Sequence, residues 1–436
     1  MPQIKLYLGS IWHIAINPEE FDRHKSLITA IESGALAVEE GRIIYSGQQG
    51  LAKQKYPNAE VIDFADRLIL PGFIDTHVHM PQLDLIGSYS PNLLDWLDKF
   101  TFPLEAKFSD PEIAKHTSNR FIKELLANGV SLSMIFSSSH ETATDILFET
   151  ADNLGLKAII GKVSMDQNAP SSILQKSQDD LKSTRNLIEK WHKKENRLFY
   201  ALTPRFAITA SEKLFNSLRQ IKNEFPDLWI QTHFSESTEE VELVKKIYPA
   251  CKNYLEVYKQ FDLLGSKTML AHCIHANKDE IEVINALSVS LSHCPTSNLF
   301  LGSGLMPLCH YLDSNIKVSL GSDVGAGTSL SPWRTMEEAY KVQALLGTSI
   351  SPSSLFYLST LGGAYALGLH ESTGNFAIGK DADFQVIDLK RIPSLKERFL
   401  HKKIDPNTDF LPIVMSTDNR IVNKLFIRGR EVYSNP

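Results

Sequence analysis

The chain is poor in cysteine. Cys251, Cys273, Cys294 and Cys309 are the only four among 436 residues. No two have C-x-x-C spacing, which excludes a zinc knuckle and a thioredoxin-like redox pair. Thiols this sparse suit a reducing cytosol rather than a disulfide-stapled secreted fold. A basic surplus is also missing. The net charge is −6, so there is no footprint for a polyanion and nucleic acid is not an expected partner. No stretch reaches the roughly 18 consecutive apolar residues that a bilayer span needs. The first residues lack a basic segment followed by an apolar run, because Lys5, His13 and Glu19-Glu20 interrupt it. Membrane association is therefore not expected, and the chain reads as cytoplasmic. Internal repeats, low-complexity tracts and flexible linkers are absent as well.

What is present is ordinary globular material, with 43% hydrophobic and 22% charged residues. The length exceeds one ordinary core. It suits a catalytic domain of about 250–300 residues with a smaller companion. Residues 1–70 read as β: Ile4–Ile16, Ala35–Tyr45 and Glu60–Leu70 are rich in branched and aromatic side chains, with a turn at Glu39-Glu40-Gly41-Arg42. From residue 71 the pattern changes to short apolar runs alternating with helical segments. The runs are Leu68–His77, Val130–Phe136, Ala158–Val163, Phe199–Thr203, Trp229–His233, Thr268–His272, Val289–His293 and Ile316–Leu320. Helices are expected over Pro111–Leu126, Ser172–Lys194, Ser211–Phe225, Glu239–Tyr248 and Ser331–Leu346. This alternation predicts an α/β fold, a (β/α)8 TIM-like barrel over 71–376. An open doubly wound sheet is the competing reading. Phe384–Asp388 and Ile421–Tyr433 return to β, so residues 1–70 and 377–436 are expected to build one composite β-sandwich domain. Segment 390–418, interrupted by Pro393, Pro406 and Pro412, has no clear form in the pattern.

The chemistry starts at Pro71-Gly72-Phe73-Ile74-Asp75-Thr76-His77-Val78-His79. Side chains alternate along a strand, so His77 and His79 point the same way. His233 and His272 end later runs, and Asp323 follows another. These groups sit at the carboxyl ends of expected strands one, five, six and eight, where a barrel builds its active site. Each histidine alone has a bland reading as a satisfied core residue; five groups at the same end of four strands point to a metal. Nitrogen-rich ligation with one carboxylate suits Zn(II) or Fe(II) and disfavours Mg or Ca. The lack of cysteine ligands argues for an open, catalytic site. Glu236, three residues past His233, reads as a proton shuttle, with helix capping as the competing role. Arg205, just after expected strand four, reads as a pocket residue, with a rim salt bridge as the alternative. His293 ends strand seven and reads as a positioning or hydrogen-bonding residue. Buried packing is the reading for Cys273 and Cys294. The glycines at Gly321, Gly325 and Gly327 read as a turn, since no Lys-Ser/Thr follows to make a phosphate loop.

The order H-x-H, H-x-x-E, H and D resembles the amidohydrolase superfamily. Pro71–Gln82 (PGFIDTHVHMPQ), Thr203-Pro204-Arg205-Phe206, His233–Ser237, Ser292–Asn298 (SHCPTSN) and Gly321–Gly325 (GSDVG) are similar to the guanine deaminase family within it. Leu94–Pro103, Gly161–Asp166 and Tyr248–Tyr258 add to that resemblance. It implies hydrolysis of guanine to xanthine and ammonia, one zinc ion per subunit with Fe(II) as the alternative, and a homodimer. Carried over residue by residue, it implies a metal held by His77, His79, His233 and Asp323. His272 would be either a fifth ligand or a partner of the bound water. It implies a purine held by Gln82, Arg205 and Phe206, beside His79, His233, Glu236 and Asp323. Glu236, Asp323 and His272 would be catalytic: Asp323 deprotonates the water and Glu236 carries a proton to N3. The strand-four end, Leu202–Arg205, has no lysine to bridge two metals, which favours one; Lys162 has the wrong register. The H-x-E and P-C-x-x-C pattern of the unrelated deaminase fold is absent. Two other readings stand beside this one. One is a related deaminase or chlorohydrolase acting on a triazine, pterin or adenosine derivative; the other is a non-catalytic scaffold of the same fold.

Overall fold

The computed structural model describes residues 3–435. Four strands lead in: β1 (Lys5–Ile14), β2 (Ile28–Glu39), β3 (Arg42–Gln48) and β4 (Glu60–Pro71). The expected hairpin is there, with Glu40 and Gly41 both at positive φ, as a tight two-residue turn requires. β2 begins seven residues earlier than the sequence pattern indicated, at Ile28.

The first barrel strand does not run Leu68–His77 as expected. Gly72 divides it: β4 ends at Pro71 and β5 covers Phe73–His79. A Cβ at Gly72 would lie 2.3 Å from Ser131 Oγ, so only glycine allows the chain to cross into the barrel there. The barrel continues with β6 (Val130–Phe136), β7 (Lys157–Gly161), the short β8 (Val163–Ser164), β9 (Leu198–Pro204), β10 (Trp229–Phe234), β11 (Thr268–His272), β12 (Ser290–His293) and β13 (Val318–Leu320). Neighbours pair in parallel in the order β5-β6-β7-β9-β10-β11-β12-β13. The ring closes just past β13, where Asp323 N–H donates to His77 O (2.8 Å) and His79 N–H to Val324 O (2.8 Å). This closure rules out the open sheet. The strands are buried along nearly their whole length, as a sheet covered on both faces must be. Most helices start within a residue of where the sequence signals them, but the one expected from Ser172 begins only at Ser177 and ends at Trp191. Asp110 caps Pro111–Ala127, and Ser237 with Glu240 forms a capping box on Thr238–Ile247.

β14 (Phe384–Ile387), β15 (Val422–Ile427) and β16 (Arg430–Ser434) pair back onto the N-terminal strands in the order β16-β15-β14-β4-β1-β2-β3. Hydrogen bonding therefore makes one continuous seven-stranded sheet from both chain ends. It folds over on itself like a sandwich. Tyr7 on β1 contacts Phe426 on β15 with ring centroids 5.2 Å apart, although three strand spacings in a flat sheet amount to about 14 Å. The segment around residues 390–418 acquires form in the structure. Helices Pro393–Arg398 and Pro406–Ser416 form there, and the second lies against barrel helices, with Phe410 on Phe356 and Trp333 at centroid distances of 5.1 and 6.0 Å. No helix among the described residues is long and apolar enough to cross a membrane.

Candidate active site and metal centre

Five side chains from distant parts of the sequence gather at the carboxyl end of the barrel. His77, His233, His272 and Asp323 each bring a ligand atom within 4.8 Å of the others. A tighter set replaces His272 by His79. His79 Nε2 lies 3.2 Å from His77 Nε2, 3.2 Å from His233 Nε2 and 3.2 Å from Asp323 Oδ1. His77 Nε2 is also 3.2 Å from Asp323 Oδ1. An ion about 2.0–2.1 Å from four tetrahedral donors holds them about 3.3 Å apart, so the tighter set has the better spacing for one metal ion. His233 Nδ1 lies 2.7 Å from Arg205 O. Donating its proton there leaves Nε2 bare to ligate, the usual arrangement behind a metal-bound imidazole. His272 stands one step back. Its Nδ1 contacts Asn298 Oδ1 at 2.9 Å, and its Nε2 faces Glu236 Oε2 at 3.4 Å and Asp323 Oδ2 at 3.8 Å. Buried His272 Nε2 and His79 Nδ1 find no hydrogen-bond partner among the described residues. Such orphans are expensive unless something else binds in the site.

Electrostatics separate the two carboxylates. Burial alone would raise the proton affinity of Asp323, but the His77 and His79 imidazoles beside it hold its carboxyl well below the usual range. Burial pushes Glu236 up to about 8, and the Asp323 charge adds to the rise. Burial also holds His233 well below its ordinary value and lowers His79 to about 4, so both are neutral and able to ligate. Glu236 is not a helix cap, since Ser237 and Glu240 fill that role. Its Oε1 instead accepts from Ser303 Oγ at 3.0 Å. Asp75, buried under the closing loop, accepts from Ser322 N–H (3.0 Å) and Ser322 Oγ (2.5 Å) and so ties strand one to the Asp323 turn.

Beside the ligand cluster is a pocket lined by His79, Gln82, Arg205, Phe206, Glu236 and Asp323, and roofed by Leu93, Trp96, Leu97 and Leu301. Arg205 is in this pocket, and it is also salt-bridged. Its NH1 donates to Glu105 Oε1 and Oε2 at 2.9 and 2.8 Å, deep inside rather than at a rim. His293 is fully buried, and neither ring nitrogen has a hydrogen-bond partner among the described residues. The hydrogen-bonding role expected for it is therefore not realised within the protein. Cys273 and Cys294 are buried as expected. Lys162 pairs with Asp180 and Gln175, away from the ligand cluster. Sequence reasoning missed Glu105 and Ser303. Glu105 lies two residues beyond the resembling stretch Leu94–Pro103, and nothing local marks Ser303.

Residues 68–432 match the amidohydrolase family model. The chain belongs to the amidohydrolase family. Within that family it is 40% identical to guanine deaminase of Escherichia coli, over 96% of this chain and 94% of that one. It is 32% identical to guanine deaminase of Dictyostelium discoideum, over 98% of both. Among solved structures, the E. coli guanine deaminase superposes with a TM-score of 0.95 at 37% identity, covering 100% of each chain. The C. acetobutylicum guanine deaminase, solved with guanine bound in its active site, gives 0.90 at 31% identity, covering 99% of this chain and 100% of that one. An adenosine deaminase and a triazine hydrolase, at 22% and 18% identity, share the amidohydrolase barrel and no more than that.

Proposed function

We propose that this protein hydrolyses guanine to xanthine and ammonia. The observation that carries the reading is one pocket in which the Glu236 and Asp323 carboxylates stand beside a ligand cluster and a buried Arg205–Gln82 pair. Relatives named for this activity over nearly the full chain support it. We assign the metal to His77, His79, His233 and Asp323, as one zinc ion, with Fe(II) as the alternative. When bound, such an ion supplies Lewis acidity and lowers the pKa of a water at the site. Asp323, held low, accepts the proton of the attacking water. Glu236, held high, donates a proton to ring N3 as oxygen adds at C2. The pushed-apart pair thus divides base and acid work. His272 holds the water; the proton taken up by Asp323 then passes to the C2 amino group, which leaves as ammonia as its C–N bond breaks, and the C2 hydroxyl proton returns to Glu236 as the carbonyl forms. Both bonds from Arg205 to Glu105 use NH1, so Nε and NH2 are the donors left for O6. Gln82 contributes the mixed donor and acceptor edge that a purine needs, and Phe206 lines the ring face. The apolar roof excludes water and so strengthens these polar contacts. We also read the chain as two domains, 1–70 with 377–436 and 71–376, and the enzyme as a cytoplasmic homodimer active in purine breakdown.

The test is direct. Zinc-loaded protein should release ammonia from guanine and form xanthine, while adenine, cytosine, guanosine and ammeline should be poor substrates. Turnover of another ring with guanine untouched would leave the family and remove this substrate.

A further inference from the structure

Glu105 is a buried carboxylate behind the pocket that the mechanism does not use. It is 1% exposed and meets two proposed substrate-holding residues at once. Its Oε1 accepts from Gln82 Nε2 at 2.9 Å and from Arg205 NH1 at 2.9 Å, while Oε2 takes NH1 again at 2.8 Å. The Arg205 guanidinium is held from another side by the Phe102 ring, 5.5 Å from its centroid. At its other end Gln82 Oε1 accepts from Gly325 N–H at 3.4 Å. The Gln82 amide therefore cannot flip without facing an acceptor with an acceptor and a donor with a donor.

We propose that Glu105 is a positioning and specificity residue that sets the charge of the pocket, neutralising Arg205 and fixing the Gln82 edge so that neutral purines bind and anionic ones are refused. This rests on the guanine reading above. A lone buried guanidinium would invite an anion, because charge in a dry pocket acts at nearly full strength. The proposed product, xanthine, ionises near neutral pH far more readily than guanine does. A pocket whose cation is already paired releases that anion instead of retaining it. Selectivity built on an unwelcome charge is a repulsive device, separate from the attractive contacts.

The experiment compares the zinc-loaded full chain with Glu105→Gln. The ratio of the xanthine inhibition constant to the guanine KM is measured below and above the ionisation of xanthine. Taking the ratio cancels titration of the enzyme itself. In the wild type the ratio should rise about tenfold or more as xanthine becomes an anion. In Glu105→Gln the rise should vanish or reverse, and Glu105→Asp, which keeps the charge, should restore it. A merely structural role would lower activity without moving this ratio. A Glu105→Gln protein that follows the wild type overturns the inference. So does a wild type whose ratio stays flat, which decides the matter even if the variant fails to fold. A wild type that leaves guanine untouched overturns the deaminase reading as well; one that turns over guanine yet accepts anionic xanthine overturns this inference alone.

Discussion

Two buried charge clusters lie at opposite ends of the same barrel, and they are built differently. At the amino end of β7, Lys157 Nζ sits 2.8 Å from Asp381 Oδ2 and 2.5 Å from Asp383 Oδ2. Arg42 and Arg428 also reach Asp381, at 2.9 and 3.3 Å, and Thr373 Oγ1 donates to Asp383 at 2.7 Å. Opposite charges meet there, and they join the barrel to the segment leading into β14. At the carboxyl end three imidazoles and a carboxylate crowd to 3.2 Å, with no lysine or arginine among them. Charges that satisfy one another stabilise. Ligand atoms forced together with bonding capacity unspent await a ligand. The difference teaches which buried polar cluster to read as chemistry.

The comparison can be broken at several points. The largest effect should follow chelation: turnover should vanish and return with added zinc, while circular dichroism stays folded. Activity that survives full metal removal, checked by elemental analysis, would make the carboxyl-end cluster merely structural. Next is Glu236→Gln, expected to retain metal and lose about 10²–10⁴-fold in kcat. With Glu236 as the proposed acid, its carboxyl pushed up to about 8 by burial, kcat/KM should fall on the alkaline side as that proton is lost. A bound cation favours the ionised form and moves this limb downward, to about 8 or below. A pH profile rising through that range would reverse the acid assignment. Lys157→Met should act in the opposite way. It should cost about 3–5 kcal/mol of stability, because two carboxylates lose a buried partner, while kcat of the folded fraction holds. Denaturant unfolding beside steady-state kinetics separates the two, and a large kcat loss without destabilisation would erase the contrast between the ends. The smallest effect is expected for Ser303→Ala, about tenfold in kcat with KM and metal content kept, from the loss of one hydrogen bond to Glu236. Near-normal kcat would show that Ser303 does not orient the acid.

Much of this was legible before any coordinates. Seven of the eight runs fall on barrel strands and the second half of the first does so too, because strands covered on both faces are largely apolar along their length. The histidines ending them stood out because a polar group there has few structural uses. Glu105 was not legible. An acidic residue in a short helical stretch has the same appearance whether it faces solvent or a buried arginine 100 residues away. The split at Gly72 was also hidden, since an apolar run does not reveal which of two sheets each half joins.

The sequence by itself determined the period of the elements, the caps that start the helices, and the identity of the groups at the strand ends. Those are local properties, written in spacing and residue type. Tertiary structure alone decided that the ring closes, that His79 rather than His272 makes the shortest contacts in the ligand cluster, and that Asp323 and Glu236 part in proton affinity. It also decided that Arg205 meets a carboxylate. Each depends on distance through space and on burial, and neither quantity is carried by any one stretch of chain.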